Sequence, residues 1–467
     1  MPSVSVTSLK GNKLLSWLIC FGVAALATFL LYDPARPQVN MYWFGTILAI
    51  AMFATSLLPN FATVVLLLMY YIITGVASPE MAFVGWTAPI PWLSMCGMLL
   101  GVLMDKCNLA NRIALVLLTR IGTTPVRLYA AFLLAGLVLA AIIPDVITVM
   151  IIFMTIAQGM CASLKLDKDS RSSATIILAA FFGAAIPSAM YLPNNTGIIG
   201  LLMVKDMGVP FTWLSFAFEN MGFQALHALA AYGILHVFGS RELAVHIASC
   251  RAVASEELQK LGAMSRDEKK TLLLTVAALI GFISEPIHHI PGYYVFCAIV
   301  LLGFTPLFRL LGSEDIEKVQ FSILFFIAGC MAIGIIAGSL GIPAWLSEKL
   351  MPILREIQNL PLAAFFAYWV GVLSNLVLTP VAAATSLSIP MAEIATSLGM
   401  PIKPVLYSFL YGLDQFFLPY ELAPALIMFA TGYVRIRYVL TLMTIRMFLV
   451  SLAVLVAAAF IWPMMGL

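Results

Sequence analysis

Two stretches decide the fold: Ala141-Ile142-Ile143-Pro144-Asp145-Val146-Ile147-Thr148 and Leu378-Thr379-Pro380-Val381-Ala382-Ala383-Ala384-Thr385. In each, a proline breaks an apolar run where a membrane helix should continue. Each is followed by another break, Tyr191-Leu192-Pro193-Asn194-Asn195-Thr196-Gly197 in the first half and Phe417-Leu418-Pro419-Tyr420-Glu421-Leu422-Ala423-Pro424 in the second. Unpaired backbone at membrane depth survives only where protein buries it or where it lines a cavity. Interrupted segments at matching places in two halves are the strongest sequence pointer to a carrier's binding site. The doubled pattern therefore predicts an all-α polytopic membrane protein with a site where the broken segments meet.

Composition agrees. The chain is 62% hydrophobic and 10% charged, against roughly 45–50% and 25% in soluble domains. Apolar runs such as Leu14–Tyr32, Trp43–Leu58 and Tyr438–Trp462 are long enough to span a bilayer. A net charge of +3 gives no argument for nucleic acid, and the seven cysteines lack CxxC or metal-ligand spacing. The five histidines show no HExxH spacing, and no nucleophile elbow or phosphate loop has a strand–turn–helix setting. An enzyme is not expected, nor a cofactor or bound metal. Lys10 and Lys13 precede an apolar run too long for a signal peptide, which reads as an uncleaved first helix.

About eleven spans are expected near 14–32, 42–58, 61–77, 90–104, 174–204, 211–238, 271–287, 293–308, 319–340, 403–430 and 436–464. Segments 126–161 and 361–398 read as re-entrant hairpins. With the N-terminus inside and the C-terminus outside, most basic residues fall inside, among them Lys106, Arg112, Lys165, Lys168, Arg171 and Arg435. Only Arg36, Lys205, Lys349, Arg355 and Lys403 fall outside, and Arg446 stays within a span. That asymmetry follows the positive-inside rule and would vanish if each hairpin were a single crossing. The expected organisation is an N-terminal helix (1–41), a first inverted repeat (42–240), a charged cytoplasmic linker (241–270) and a second repeat (271–467). Broken helices are expected at 174–204 and 403–430. The linker's charges read as a solvated face.

Acidic residues at membrane depth are candidate functional groups because an unpaired charge there is costly. Asp145 follows Pro144 at the first tip and Glu421 lies in the second later break, with Asp414 before it. An ordinary helix cap is the competing reading for Asp145. Asp145, Ser374, Asn375, Asp414 and Glu421 are the expected cation-coupling residues. Expected substrate contacts in the first half are Pro144, Asp145, Val146, Thr148, Asn194, Asn195 and Thr196. In the second half they are Thr379, Pro380, Ala382, Leu422 and Pro424. Neutral donors and half-helix N-termini suit an anion that must be bound and then released. Every basic residue except Arg446 reads as loop or span end, so buried arginine or lysine is not expected to hold the substrate.

Over nearly its whole length the chain resembles the divalent anion/sodium symporter family, which carries dicarboxylates, citrate and sulfate. The likeness lies in the order of spans, the amphipathic run Leu109–Gly122 before a hairpin, and the paired breaks. The family's Ser-Asn-Thr tips are replaced here by Pro144-Asp145-Val146 and Pro380-Val381-Ala382, with Asp145 at the family's Asn position. Where the family has Pro-Pro-Asn-like later breaks, this chain reads Pro193-Asn194-Asn195 and Ala423-Pro424-Ala425, so the architecture is similar while the signature is not. The resemblance implies a bacterial inner-membrane homodimer embedded in lipid, whose transport domain moves as an elevator past a scaffold. It also implies secondary active symport of a small anion, such as a di- or tricarboxylate, sulfate or sulfonate, with sodium or a proton as coupling ion. An anion exchanger, or a cation/proton antiporter using Asp145, Asp414 and Glu421, are the alternatives.

Overall fold

The computed structural model describes residues 13–55, 57–143, 146–191, 195–342, 345, 357, 359–375, 378–416 and 423–467. All regular structure among them is helical. Helices α1 (Lys13–Leu30), α2 (Pro37–Thr55) and α3 (Asn60–Ile73) precede α4 (Pro89–Lys106) and α5 (Leu109–Ile121), which meet at a 65° bend. The first hairpin is α6 (Pro125–Ile142) and α7 (Val146–Ser163), followed by α8 (Arg171–Ser188) and α9 (Asn195–Met203). Then come α10 (Trp213–Ala244), α11 (Ile247–Lys260), α12 (Arg266–Ile283), α13 (Gly292–Leu301) and α14 (Phe321–Ser339). The second hairpin is α15 (Leu360–Asn375) and α16 (Pro380–Ser397), followed by α17 (Ile402–Leu413) and α18 (Ala423–Ala430). Helix α19 (Ile436–Val456) runs on through a π turn to Met464.

Six described helices are long and apolar enough to cross a membrane, or seven spans if the bent α4–α5 pair counts as one. The expected spans at 61–77 and 293–308 are shorter, at Phe61–Ile73 and Gly292–Phe304. Large apolar side chains face outward, Phe29 at 78%, Ile73 at 83% and Val237 at 88% exposure. Such a surface suits lipid.

Proline begins helices here as well as ending them. Pro125 and Pro380 each occupy the first turn, where a fixed φ and a missing N–H cost nothing. Before each, a threonine caps: Thr124 Oγ1 accepts from Arg127 N–H at 3.2 Å, and Thr379 Oγ1 from Ala382 N–H at 3.3 Å. This corrects one expectation. Residues 380–382 are the first turn of α16 rather than a tip, so the gap between the arms lies before Pro380 and after Asn375.

Helix α11 meets both α5, which leads into the first hairpin, and α7, which leaves it. Arg251 Nε donates to the Thr119 carbonyl at the end of α5, and neighbouring Cys250 lies beside Cys161 near the end of α7. The arms α6 and α7 therefore run antiparallel, each about 27 Å long at 1.5 Å per residue. Gly101 of α4 packs against Thr148 of α7, and Gly334 of α14 packs against the Thr385 backbone of α16.

Backbone meets backbone where the first arm of each hairpin crosses the helix after it. A Cβ on Gly136 would strike the Gly183 carbonyl. That oxygen lacks its usual helical donor, because residue 187 is proline. A Cβ on Gly371 would strike the Phe409 carbonyl and come 3.0 Å from Gly412 Cα. Small residues let membrane helices approach this closely. The contacts then exchange between halves: α9 packs on α16, and α18 packs on α7.

Ion pairs tie loops together, each joining segments that the charge distribution puts on one side. Lys106 Nζ meets Asp315 at 2.8 Å and Arg435 Nε meets Asp169 at 2.6 Å. The 241–270 segment departs from a simple solvated face. Glu268, 3% exposed, is chelated by Arg112 Nε at 2.6 Å and Nη2 at 3.2 Å, while Arg112 also donates to the Leu261 and Gly262 carbonyls. Burial alone would raise the Glu268 pKa; the bonds from Arg112 and Ser265 outweigh it, and the net shift is downward.

Candidate functional site

The described ends of the broken helices meet in the protein interior, and the polar groups there form a seam from one break to the other. Helix α8 stops at Ser188, leaving terminal carbonyls without intrahelical donors. Gln224 of α10 reaches across and donates from Nε2 to the Ala189 carbonyl at 3.4 Å. Its Oε1 lies 3.3 Å from Nδ1 of His227, one turn along the same helix. Both side chains are more than nine-tenths buried.

The second break is served in the same manner from a different helix. Asn375, the last residue of α15, donates from Nδ2 to the Gln415 carbonyl at 2.8 Å, just beyond the end of α17. Gln415 donates to the Tyr411 carbonyl at 3.2 Å. Asp414 is the C-cap of α17 and lies within electrostatic range of Arg446. Arg446 of α19 is 1% exposed, with its guanidinium 5.5 Å from the Phe182 ring centroid and 5.3 Å from that of Phe416.

Several atoms in this seam are buried without a hydrogen-bond partner: Asn375 Oδ1, Gln415 Oε1, His227 Nε2, and Nε and Nη2 of Arg446. Buried polar groups are nearly always satisfied, so a cluster of exceptions calls for an explanation. Two amide oxygens are hard ligands suited to an alkali cation. The guanidinium suits an oxyanion.

The structure places the expected residues unevenly. Pro144, Asp145, Asn194, Glu421 and Leu422 lie outside the described residues. Asn195 and Thr196 open α9, and Pro424 falls in the first turn of α18. Val146 opens α7, and Thr148, half-buried, packs on Gly101. Thr379 is engaged as a cap, Pro380 and Ala382 lie in the turn it caps, and Ser374 donates back to the Val370 carbonyl at 2.6 Å. Asn375 and Asp414 do enter the seam.

Gln224, His227 and Gln415 were missed. A Gln-x-x-His pair on one face of a long apolar helix is the signal that would have found the first two. Glu219 was missed as well. It sits in α10, 15% exposed at its side chain, holding Lys403 at 2.7 Å and accepting from the Tyr407 hydroxyl at 2.5 Å. That cluster is satisfied and ties α10 to α17.

Comparison with known proteins adds to this geometry. The family description "sodium:sulfate symporter transmembrane region" matches residues 14–467. An L-tartrate/succinate antiporter of Shigella boydii is 25% identical over 371 residues, covering 75% of this chain and 74% of the relative. The Escherichia coli K12 protein of the same description is 25% identical over 368 residues, covering 75% and 73%. Among solved structures, the YdaH transporter of Alcanivorax borkumensis aligns with a TM-score of 0.52 and 14% identity, over 85% of this chain and 88% of that one.

Proposed function

Because the chain belongs to the sodium:sulfate symporter family, we propose that it is a secondary carrier of a small divalent anion that alternates access between two sides of the membrane. Family membership establishes the coarser statement: this is a membrane transporter of anions, not an enzyme. The finer reading is sodium- or proton-coupled symport of a dicarboxylate or sulfate in a bacterial inner membrane. The observation that carries it is the group of buried, unsatisfied polar atoms at the ends of the helices flanking both breaks. In this reading the coupling cation sits at the Asn375 and Gln415 amide oxygens, beside Asp414. The anion is held by the first turns of α7 and α9, with Asp145, Asn194, Asn195 and Thr196 from the first half.

The two halves act as inverted repeats in this proposal, with the hairpins entering from opposite faces. The recurring glycine contacts and the exchange of α9 and α18 between hairpins support that arrangement. A homodimer with an elevator motion is the mechanism proposed with it. Exchange of two anions is the second reading, favoured by relatives described as antiporters.

Uptake of labelled succinate and sulfate into proteoliposomes, with sodium, proton and internal-anion gradients imposed separately, tests both. Symport requires accumulation driven by an inward sodium or proton gradient into empty vesicles. Uptake only into anion-loaded vesicles selects exchange, and no uptake of either anion under any gradient sinks the proposal.

A further inference from the structure

One group in the seam carries more than the coupling scheme uses. Arg446 is the eleventh residue of α19, inside an apolar helical stretch of 29 residues (Ile436–Met464), and it is 1% exposed. A cation so placed is retained only where something repays its desolvation. The groups around it come from four other elements. Phe182 of α8 and Phe416 after α17 present ring faces. Tyr368 of α15 gives its hydroxyl proton to the Met447 carbonyl at 2.8 Å. His227 of α10 and Asp414 are within electrostatic range. Among the described residues Asp414 is the carboxylate near it, yet no hydrogen bond reaches Nε or Nη2 of Arg446.

Those two atoms form one edge of the guanidinium, the edge whose parallel N–H groups match the two oxygens of a carboxylate. The same molecule shows that edge in use. Arg112 chelates Glu268 through Nε to Oε1 at 2.6 Å and Nη2 to Oε2 at 3.2 Å. Arg446 presents the equivalent edge buried and unfilled.

We propose that Arg446 is the residue that reads the charge of the transported anion, its Nε and Nη2 taking one oxyanion group of the substrate in a bidentate pair. This rests on the anion-carrier reading above and adds a charge-selecting residue to it. The two aromatic faces spread the guanidinium charge and Asp414 opposes it, so the pair remains weak enough to release. Lysine cannot replace it fully, because an ammonium offers a point charge in place of a planar fork.

The test uses full-length protein carrying Arg446→Met, Arg446→Gln or Arg446→Lys. Succinate and sulfate are the probes, read by thermal unfolding in detergent and by the KM of uptake in proteoliposomes. Removing a buried guanidinium whose Nε and Nη2 lack hydrogen bonds should raise the unfolding temperature of the anion-free Met and Gln variants above wild type. Succinate should no longer shift that temperature, and its KM should rise at least tenfold, with the Lys variant in between. Sulfate responding as succinate does assigns the edge to oxyanions in general; a response to succinate alone assigns it to carboxylates. Wild-type KM and a wild-type succinate shift in Arg446→Met overturn the inference while leaving the carrier reading intact. So does a lowered unfolding temperature in the anion-free Met variant, which would make Arg446 a structural partner of Asp414. A wild type that neither transports nor responds to either anion overturns the carrier reading and this inference together.

Discussion

The first hairpin with α8 and the second hairpin with α17 share one frame but differ in chemistry. In both, a glycine on the first arm lies against backbone of the following helix, Gly136 on Gly183 and Gly371 on Phe409 and Gly412. Around the first tip the described residues are Ile142, Ile143, Val146 and Ile147, with Thr148 their hydroxyl. Around the second stand Ser374, Asn375, Asp414 and Gln415, with Arg446 behind them. Close packing is present in both halves; among the described residues, Arg446, Asp414 and the amide oxygens of Asn375 and Gln415 gather in the second. In the proposed reading a doubled scaffold carries an asymmetric site, to which the second half brings Arg446 and the amides of Asn375 and Gln415 and the first half brings the anion contacts at α7 and α9.

The strongest way to break this comparison is through the shared frame. Gly136→Val and Gly371→Val each drive a branched side chain into backbone carbonyls that cannot move aside. Both should destabilise near the upper end of the about 1–3 kcal/mol typical of overpacking, or prevent folding. Monodisperse yield in detergent and unfolding temperature are the readouts. If the first variant behaves as wild type while the second collapses, the two contacts are not the same device.

The chemical difference is sharpened by Asn375→Ala set against Thr148→Val. Loss of the Asn375 amide removes the proposed cation ligand and leaves the Gln415 carbonyl without its donor. A rise of about tenfold in the cation concentration for half-maximal uptake is expected, equivalent to about 1.4 kcal/mol. Thr148→Val should change cation dependence by less than about twofold, a few tenths of a kcal/mol. Equal responses in the two variants would mean that the halves share the cation.

A smaller effect is expected from the first half's neutral donors. Asn194→Ala and Asn195→Ala should each raise the KM for the anion by about 3- to 10-fold, the range of one lost hydrogen bond of about 0.5–1.5 kcal/mol. Membrane insertion should be unchanged. Normal KM in both variants would remove these side chains from the site.

What the sequence made legible was the frame. Apolar run length and paired proline breaks follow from local physics, and helices flank both breaks. The second tip was placed too late because proline stops one helix and starts another with equal ease, and Pro380 starts α16. Asn375 was recognised as a polar residue near a break, but its bond to the Gln415 carbonyl joins residues 40 apart. Gln224 serving the end of α8 spans 35 residues, and Glu268 meeting Arg112 spans 156. No helical or strand period reveals such pairings. Arg446 was visible as an oddity in a span, whereas its unfilled edge is a property of the packed interior.

The smallest effect is expected where the halves are only tied together, between the end of α4 and the segment before α14. Lys106 closes α4, and Asp315 lies six residues before α14 begins. Asp315 is fully buried and accepts from Lys106 at 2.8 Å, from Lys318 at 3.0 Å and from the Gly312 N–H at 3.0 Å. Burial by itself would raise its pKa, but these three donors overrule it and hold the carboxyl at about 2, against 3.8 for an ordinary aspartate. A depressed folded-state pKa means the unfolded chain binds the proton more readily. The stabilisation from this group is then complete above pH 3.8 and is lost as pH falls from 3.8 toward 2. Asp315→Asn cannot titrate, so its unfolding temperature should start slightly lower at neutral pH and fall less than that of wild type across this window. Transport of the anion should be unchanged at neutral pH, because the tie lies away from the seam. Parallel acid unfolding curves for the two proteins would show that the tie contributes nothing, and a lost anion response would show that it belongs to the site after all.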